Sequence, residues 1–343
     1  MKYRPIPRTD FLVSEVGFGL WTVSTGWWGN FTESEAIHLM HRALDLGVTL
    51  FDAADTYGNG LSEELIAKAF PTRRDDIVIA TKVGYDFYTH GEERKGQREI
   101  PHNFTTPFIR EAVEKALQRL KTDRIDILQL HNIRMEQVED EALWQLMHDL
   151  EKEGKIRSHG AALGPAIGWL YEGADAVKRH NPHILQHIYN MLEQYPGSNI
   201  MDAGAATDDT RYLIRVTHSS GMLEGKYTLE TQFPPGDHRN HRPRSWLVNG
   251  IKKVDTLRFL EGSDRTLGQA ALQWLLADHR VASTLPNIYN EEQLTEFAKA
   301  PSCPALTTEE LARIKELAAI NFGVTDDAPK YKGTMTRELA SVS

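Results

Sequence analysis

At 343 residues the chain exceeds one typical domain of about 100 to 200 residues, yet it fits a single α/β barrel of about 250 residues with insertions. Its 39 Lys and Arg against 48 Asp and Glu leave a net charge of −9, with no cationic excess to neutralise nucleic-acid phosphates. A hydrophobic share of 41% with 25% charged residues excludes disordered and fibrous classes, and the single cysteine, Cys303, excludes an internal disulfide framework. No apolar run approaches the roughly 18 residues of a membrane span, and MKYRPIPRTD has no signal-like apolar core. The expectation is a cytoplasmic enzyme without a nucleic-acid or membrane partner.

After a short Pro-containing lead, extended-looking apolar runs alternate with amphipathic helical ones. VGFGL (16–20) is the first strand. Thr32 and Glu35 then form a capping box, Ala36, Leu39, Met40, Ala43 and Leu44 repeat at helical spacing, and Gly47 marks the exit. VTLFDAA (48–54) predicts a buried strand, GLSEELIAKAF a helix and IVIATKV (77–83) a strand rich in β-branched residues. Thr106 and Pro107 open a helix whose face carries Ile109, Ala112, Val113, Ala116, Leu117 and Leu120, before strand IDILQL (125–130).

The second half continues with helix EALWQLMHDLEKEGK, strand IRSHGAAL (156–163), a helix from Trp169 to Arg179, and strands HILQHIY (183–189) and YLIRVTH (212–218). Helix LGQAALQWLLA and strand VASTLP (281–286) complete eight strands; the helix expected between Tyr189 and Tyr212 is weakly marked by YPGSNIMDAGAATDD. Residues 228–250 read as a long Pro-, His- and Arg-rich loop and Ile251–Leu260 as an additional helix. Thr307 and Glu310 cap a terminal helix. Eight strand–helix units without an intervening linker predict an α/β fold of the (β/α)8 TIM-barrel type: one domain, 1–343, with long loops at the C-terminal face of the strands, an extra C-terminal helix and a tail, 324–343. An open doubly wound sheet is the alternative, but VGFGLWTVSTG is not a Gly-x-Gly-x-x-Gly phosphate loop.

Function in such a barrel sits at the C-terminal strand ends, which here carry Trp21, Asp52, Lys82, His131 and Gln186 and then a Ser- and Gly-rich turn at 219–225. Tyr57 lies five residues after Asp52. A phenol gives up its proton reluctantly near neutral pH, and a neighbouring ammonium makes it a readier donor to a developing alkoxide. Lys82 is the candidate ammonium, Asp52 its anchor, and His131 a group to orient the carbonyl oxygen or relay the proton. Each alone also reads as an ordinary strand-end polar residue; four in successive units point to carbonyl reduction.

These residues and their wording, above all FDAADTYGNGLSE with ATK, DILQLH, EKEGKIRSHG, LQHIYN, SSGMLEGKY and LPNIYNEEQL, resemble the aldo-keto reductases over nearly the whole chain. The resemblance implies NAD(P)H held on a barrel without a Rossmann fold, a catalytic tetrad at Asp52, Tyr57, Lys82 and His131 with Tyr57 the acid, and reduction of an aldehyde, ketone or sugar-like carbonyl. It places cofactor contacts at Gln186, Arg215, Val216, His218, Ser220, Asn287 and Gln293. Where the family usually reads Gly-Val-Ser-Asn, this chain has Gly160-Ala161-Ala162-Leu163, so two carboxamide-binding side chains are missing and Gln186 is the one retained.

Arg215 stands where an aromatic ring often stacks on the nicotinamide; it either stacks, placing a charge that favours the reduced cofactor, or pairs with an acidic neighbour. NIYNEEQLTEF (287–297) holds Glu291, Glu292 and Glu296 and no Lys or Arg, a poor setting for the 2′-phosphate of NADP. NADH is therefore favoured, unless Arg239, Arg242 or Arg244 folds over from the long loop. Trp21, Trp27 and Tyr85 are the expected substrate walls, with Trp28, Phe31, Phe87, Tyr88, His90 and His102 nearby. The fourteen His show no HExxH-like spacing, so no metal is expected. A nicotinamide-sensing regulatory subunit with little turnover and a lyase using Lys82 as a Schiff base are the rival readings.

Overall fold

The computed structural model describes residues 1–91, 99–164 and 169–325. An N-terminal antiparallel hairpin, β1 (Tyr3–Pro5) and β2 (Leu12–Ser14), precedes eight barrel strands: β3 (Phe18–Gly19), β4 (Leu50–Asp52), β5 (Val78–Val83), β6 (Ile127–His131), β7 (His159–Ala162), β8 (Ile184–Ile188), β9 (Arg211–Arg215) and β10 (Val281–Leu285). Every neighbouring pair from β3 to β10 is parallel and in chain order. The ring closes where Val16 bridges Thr284 and the Gly17 N–H donates to the Thr284 carbonyl at 2.8 Å. This is the (β/α)8 barrel the sequence predicts.

The capping boxes act as read. Thr32 opens Glu33–Asp45 and Thr307 opens Thr308–Ala319, each exchanging hydrogen bonds with the glutamate three residues on, Glu35 and Glu310. Apolar faces of the surrounding helices, such as Ala36, Leu39, Met40 and Ala43, join the outward strand residues in the main core.

The lead segment corrects one expectation: it forms the β1–β2 hairpin, whose Ile6, Phe11 and Val13 pack with Leu50, Val78, Ala80, Ile127, Ile184, Leu213 and Ala282. These barrel residues lie toward the starts of their strands, so the hairpin seals the N-terminal end and leaves the other end for chemistry. The long loop is shorter than 228–250 because a helix already begins at Arg244 and runs to Asp255, with a separate 3-10 turn at Arg258–Leu260 in place of one helix 251–260. The weakly marked unit holds a helix of only Gly197–Ala203. The predicted tail falls, from 326 onward, outside the described residues. No helix among the described residues is long and apolar enough to cross a membrane.

Candidate active site

Asp52 closes β4, Lys82 is the last residue but one of β5, and His131 closes β6, so parallel register alone brings three side chains to one rim. Tyr57 comes from the turn after β4. Gly58 and Gly60 in that turn have φ of +61° and +98°, and a Cβ on Gly58 would stand 2.5 Å from the Ser24 carbonyl oxygen. Only glycine fits there, and the tight turn returns Tyr57 over the barrel mouth.

Lys82 Nζ donates to Asp52 Oδ2 at 2.7 Å and to the Ala53 carbonyl at 2.7 Å. Asp52 Oδ1 accepts from Gln186 at 3.0 Å and from Gln129 at 3.4 Å. The Lys82 side chain is 1% exposed and that of Asp52 7%, so the pair is held almost wholly away from solvent. The ammonium stands 4.9 Å from the Tyr57 ring centroid. His131 meets Tyr57 edge-on at 5.7 Å and Trp21 meets it at 5.0 Å, which leaves the phenol between a cation, an imidazole and an indole.

Tyr85 packs edge-on against His131 at 4.9 Å and stacks on His102 at 4.1 Å. Its hydroxyl accepts from Asn132 Nδ2 at 2.7 Å and donates to Glu99, whose other oxygen pairs with Arg134 at 2.6 Å. Burial, then the Glu99 charge, holds the Tyr85 proton far more tightly than in a free phenol. Glu99 and Asn132 thus hold the Tyr85 hydroxyl in place as a neutral phenol. Burial also pushes His102 down to about 4, keeping that ring neutral. Asn132, Glu99 and Arg134 escaped the sequence reading, although HNIR directly after strand six was the available signal.

Trp27 packs edge-on against Trp21 at 5.2 Å, and the His238 N–H donates to the Trp27 carbonyl at 3.0 Å. The tract 236–245 is thus folded onto the loop after β3, with His238 tilted against Trp27 at 5.4 Å and the Arg239 guanidinium 4.7 Å from the Trp28 ring centroid. Arg239 is itself matched, by Asp237 at 2.5 Å and by the Tyr227 hydroxyl at 2.8 Å.

On the opposite side, Arg215 closes β9, and its Nη2 donates to the Leu163 carbonyl at 2.8 Å and to the Gly164 carbonyl. Among the described residues no carboxylate pairs with it. Burial draws its pKa down, with the phenol of Tyr57 and the carboxylate of Asp52 acting against that. The chain then turns sharply: Val216, Ser219, Ser220 and Gly221 have φ of 57°, 47°, 57° and 88°. Positive φ at a β-branched valine is strained, and it is held here by Asn190 Nδ2, which donates to the Val216 carbonyl at 3.0 Å.

The remaining predicted contacts lie farther out. His218 faces the Gly268 carbonyl at 2.9 Å and stacks on Phe297 at 4.5 Å. Gln293 donates to Glu224 at 2.9 Å and accepts from the Tyr289 N–H at 3.2 Å. Ser220 offers its carbonyl to the Tyr227 hydroxyl at 2.8 Å, and Asn287 is half-buried just past β10.

A family model described as the aldo/keto reductase family matches residues 15–319. The aldo-keto reductase YhdN of Bacillus subtilis (strain 168) is 32% identical over 289 residues, which cover 80% of this chain and 81% of the relative. The chain belongs to the aldo/keto reductase family. A probable voltage-gated potassium channel subunit beta of Arabidopsis thaliana is 27% identical over 334 residues, 92% of this chain and 96% of the relative. Among solved structures, the holo form of aldo-keto reductase AKR11C1 from Bacillus halodurans aligns with a TM-score of 0.71 at 29% identity, covering 93% of this chain and 96% of that one.

This aldo/keto reductase is thus one of a family of NAD(P)H-binding oxidoreductases. At β7 a Cβ on Gly160 would lie 2.0 Å from the Ile184 carbonyl oxygen, and the buried Ala161, Ala162 and Leu163 that follow carry no hydrogen-bonding side chain. At the other end of the expected cofactor groove, Glu291 is paired with Arg42 at 2.9 Å and His38 at 3.3 Å, while Glu296 accepts from Thr266 at 2.6 Å and from Lys226 at 3.4 Å.

Proposed function

We propose that this protein reduces an aldehyde, ketone or sugar-like carbonyl to the alcohol, or catalyses the reverse, in the cytoplasm, with Tyr57 as the proton donor and NADH as the favoured cofactor. The observation that carries the reading is the buried Asp52–Lys82 pair at 2.7 Å with its ammonium 4.9 Å from the Tyr57 ring.

The residues present suit a nicotinamide dinucleotide. Gln186 is an amide at the depth of the tetrad, Arg215 presents a planar cation at the end of β9, and the sharp turn 216–221 that follows it is where a pyrophosphate would lie. When bound, the reduced nicotinamide supplies the hydride to the carbonyl carbon.

The protein supplies the rest. Tyr57 hands its proton to the oxygen as negative charge develops there, and the fixed charge of Lys82 stabilises the phenolate left behind. Asp52 and the Ala53 carbonyl hold that ammonium in place, so little reorganisation accompanies the proton transfer. His131 orients the carbonyl oxygen from the opposite side. Trp21, Trp27 and Tyr85 form an aromatic wall that excludes water and suits apolar or ring-shaped substrates.

Glu292 at the start of Glu291–Lys299 supports the preference for NADH, since a 2′-phosphate there would meet its carboxylate, while Glu291 is already paired with Arg42. The long loop does not offset this, because Arg239 is already neutralised by Asp237.

Following nicotinamide absorbance with NADH or NADPH against a panel of aldehydes, ketones and aldoses tests the proposal. Turnover lost in Tyr57→Phe supports it. Tight nicotinamide binding with no turnover of any carbonyl would overturn it in favour of a sensing subunit.

A further inference from the structure

A second cluster of chemistry-bearing side chains lies at the other end of the barrel. His148 and Glu151 are one turn apart on the helix Glu141–Lys152, His159 opens β7, and His183 immediately precedes β8. Both strands begin at this end, opposite the tetrad. Helix and sheet therefore converge three imidazoles on one carboxylate.

Glu151 Oε1 lies 2.7 Å from His159 Nδ1 and 3.3 Å from His183 Nδ1, and Glu151 Oε2 lies 3.7 Å from His148 Nδ1. The His148 and His159 rings meet edge-on at 4.6 Å, as do His159 and His183 at 4.9 Å. One donor atom from each of His148, Glu151 and His159 lies within 4.8 Å of the others. In a tetrahedral zinc site with bonds of about 2.0 to 2.1 Å, ligand atoms stand about 3.3 Å apart. The separations here bracket that value.

The His159 side chain is wholly buried, and its Nδ1 and that of His148 both face the Glu151 carboxylate. The nearest cations are directed elsewhere: Arg8 donates to the Asn181 carbonyl at 2.7 Å and Lys152 to Asp149 at 3.5 Å.

We infer that His148, Glu151 and His159 form a binding site for a divalent transition ion of the zinc class. Two imidazole nitrogens and one carboxylate oxygen, with water in the remaining position, are a ligand set such an ion takes. Because the ligands come from helix 141–152 and the strand that follows it, the ion acts as a staple between that helix and the floor of the barrel, and takes no part in the carbonyl chemistry. The histidine spacing excluded a metal because the HExxH pattern it looks for puts both histidines on one helix, whereas His148 and Glu151 are on a helix and His159 opens the strand that follows.

Untagged protein stripped with chelator, then titrated with Zn2+ by calorimetry and with Co2+ by visible absorption, tests the inference. The expected result is one equivalent of Zn2+ per chain, an intense tetrahedral Co2+ spectrum and a raised thermal midpoint. His148→Ala removes a half-exposed ligand (45% exposed side chain) that the fold does not need, and Glu151→Gln keeps the shape while removing the charge. Each weakens Zn2+ by at least about tenfold, with carbonyl reduction unchanged in the metal-free state. Absence of stoichiometric Zn2+ binding in the parent overturns the inference. So does equal binding in the parent and His148→Ala, which would mean a site elsewhere on the surface.

Discussion

Lys82 and Asp52 form a 2.7 Å ion pair at the rim of the barrel, and Asp52 uses its second oxygen to accept from Gln186 at 3.0 Å. One carboxylate thus ties Lys82, beside the Tyr57 ring, to Gln186. A buried pair of this kind costs desolvation when formed and more when broken, because the survivor is left charged without a partner. Lys82→Met is therefore expected to lower unfolding free energy by about 3 to 5 kcal/mol in urea denaturation. Combined with Asp52→Asn, it is expected to lose much less than the sum of the two single changes. Additive losses would show that the pair is not coupled.

The acidic start of Glu291–Lys299 and the self-matched Arg239–Asp237 pair lead to a cofactor prediction. Parallel calorimetric titrations are expected to give NADH about tenfold tighter binding than NADPH, or about 1.4 kcal/mol. Equal affinities, or tighter NADPH, would show that a cation reaches the 2′-phosphate after all.

Arg239 fixes the loop over Trp28 through Asp237 and Tyr227. Arg239→Ala removes hydrogen bonds to a charged group, worth about 1.5 to 3 kcal/mol each, and is expected to free the loop. Stopped-flow nicotinamide fluorescence should then show cofactor release faster by about tenfold or more, with the chemical step little changed. An unaltered release rate would separate this loop from the cofactor.

Much of this was legible in the sequence because it is local. Capping boxes at Thr32 and Thr307, the turn glycines after Asp52, and Lys82 and His131 at the ends of their apolar runs are read from neighbours along the chain, and parallel register does the rest. The β1–β2 hairpin was not legible, because its apolar residues are few and gain their meaning from Leu50, Ile127 and Leu213 far along the chain. The Tyr85–Asn132–Glu99–Arg134 network and the His148–Glu151–His159 cluster join distant segments in the same way. The fold of 236–241 onto Trp27 and Trp28 depends on Asp237 matching Arg239, a pairing that composition alone reads as a solvated loop.

Buried imidazoles set an acid limit, His187 and His102 among them. Burial pushes His187 and His102 down to about 4, against 6.5 when exposed. Between these values the unfolded chain binds protons that the folded chain refuses, so stability falls as pH drops from about 6.5 to about 4 and levels off below that. Each ring contributes about 1.4 kcal/mol per pH unit across the window. His187→Gln is expected to flatten part of the slope in urea unfolding measured at several pH values, and an unchanged slope would assign the acid sensitivity to other groups.

The central claim is that Tyr57 delivers the proton while the nicotinamide delivers hydride to a carbonyl carbon. The direct measurement is product analysis by NMR after incubating the protein with an aldehyde and reduced cofactor deuterated at the transferable C4 position. Deuterium on the new carbinol carbon, together with a rate lower by about a hundredfold or more in Tyr57→Phe at undiminished cofactor affinity, is the predicted result. Deuterium-free alcohol, or a Tyr57→Phe variant as fast as the parent, would contradict it.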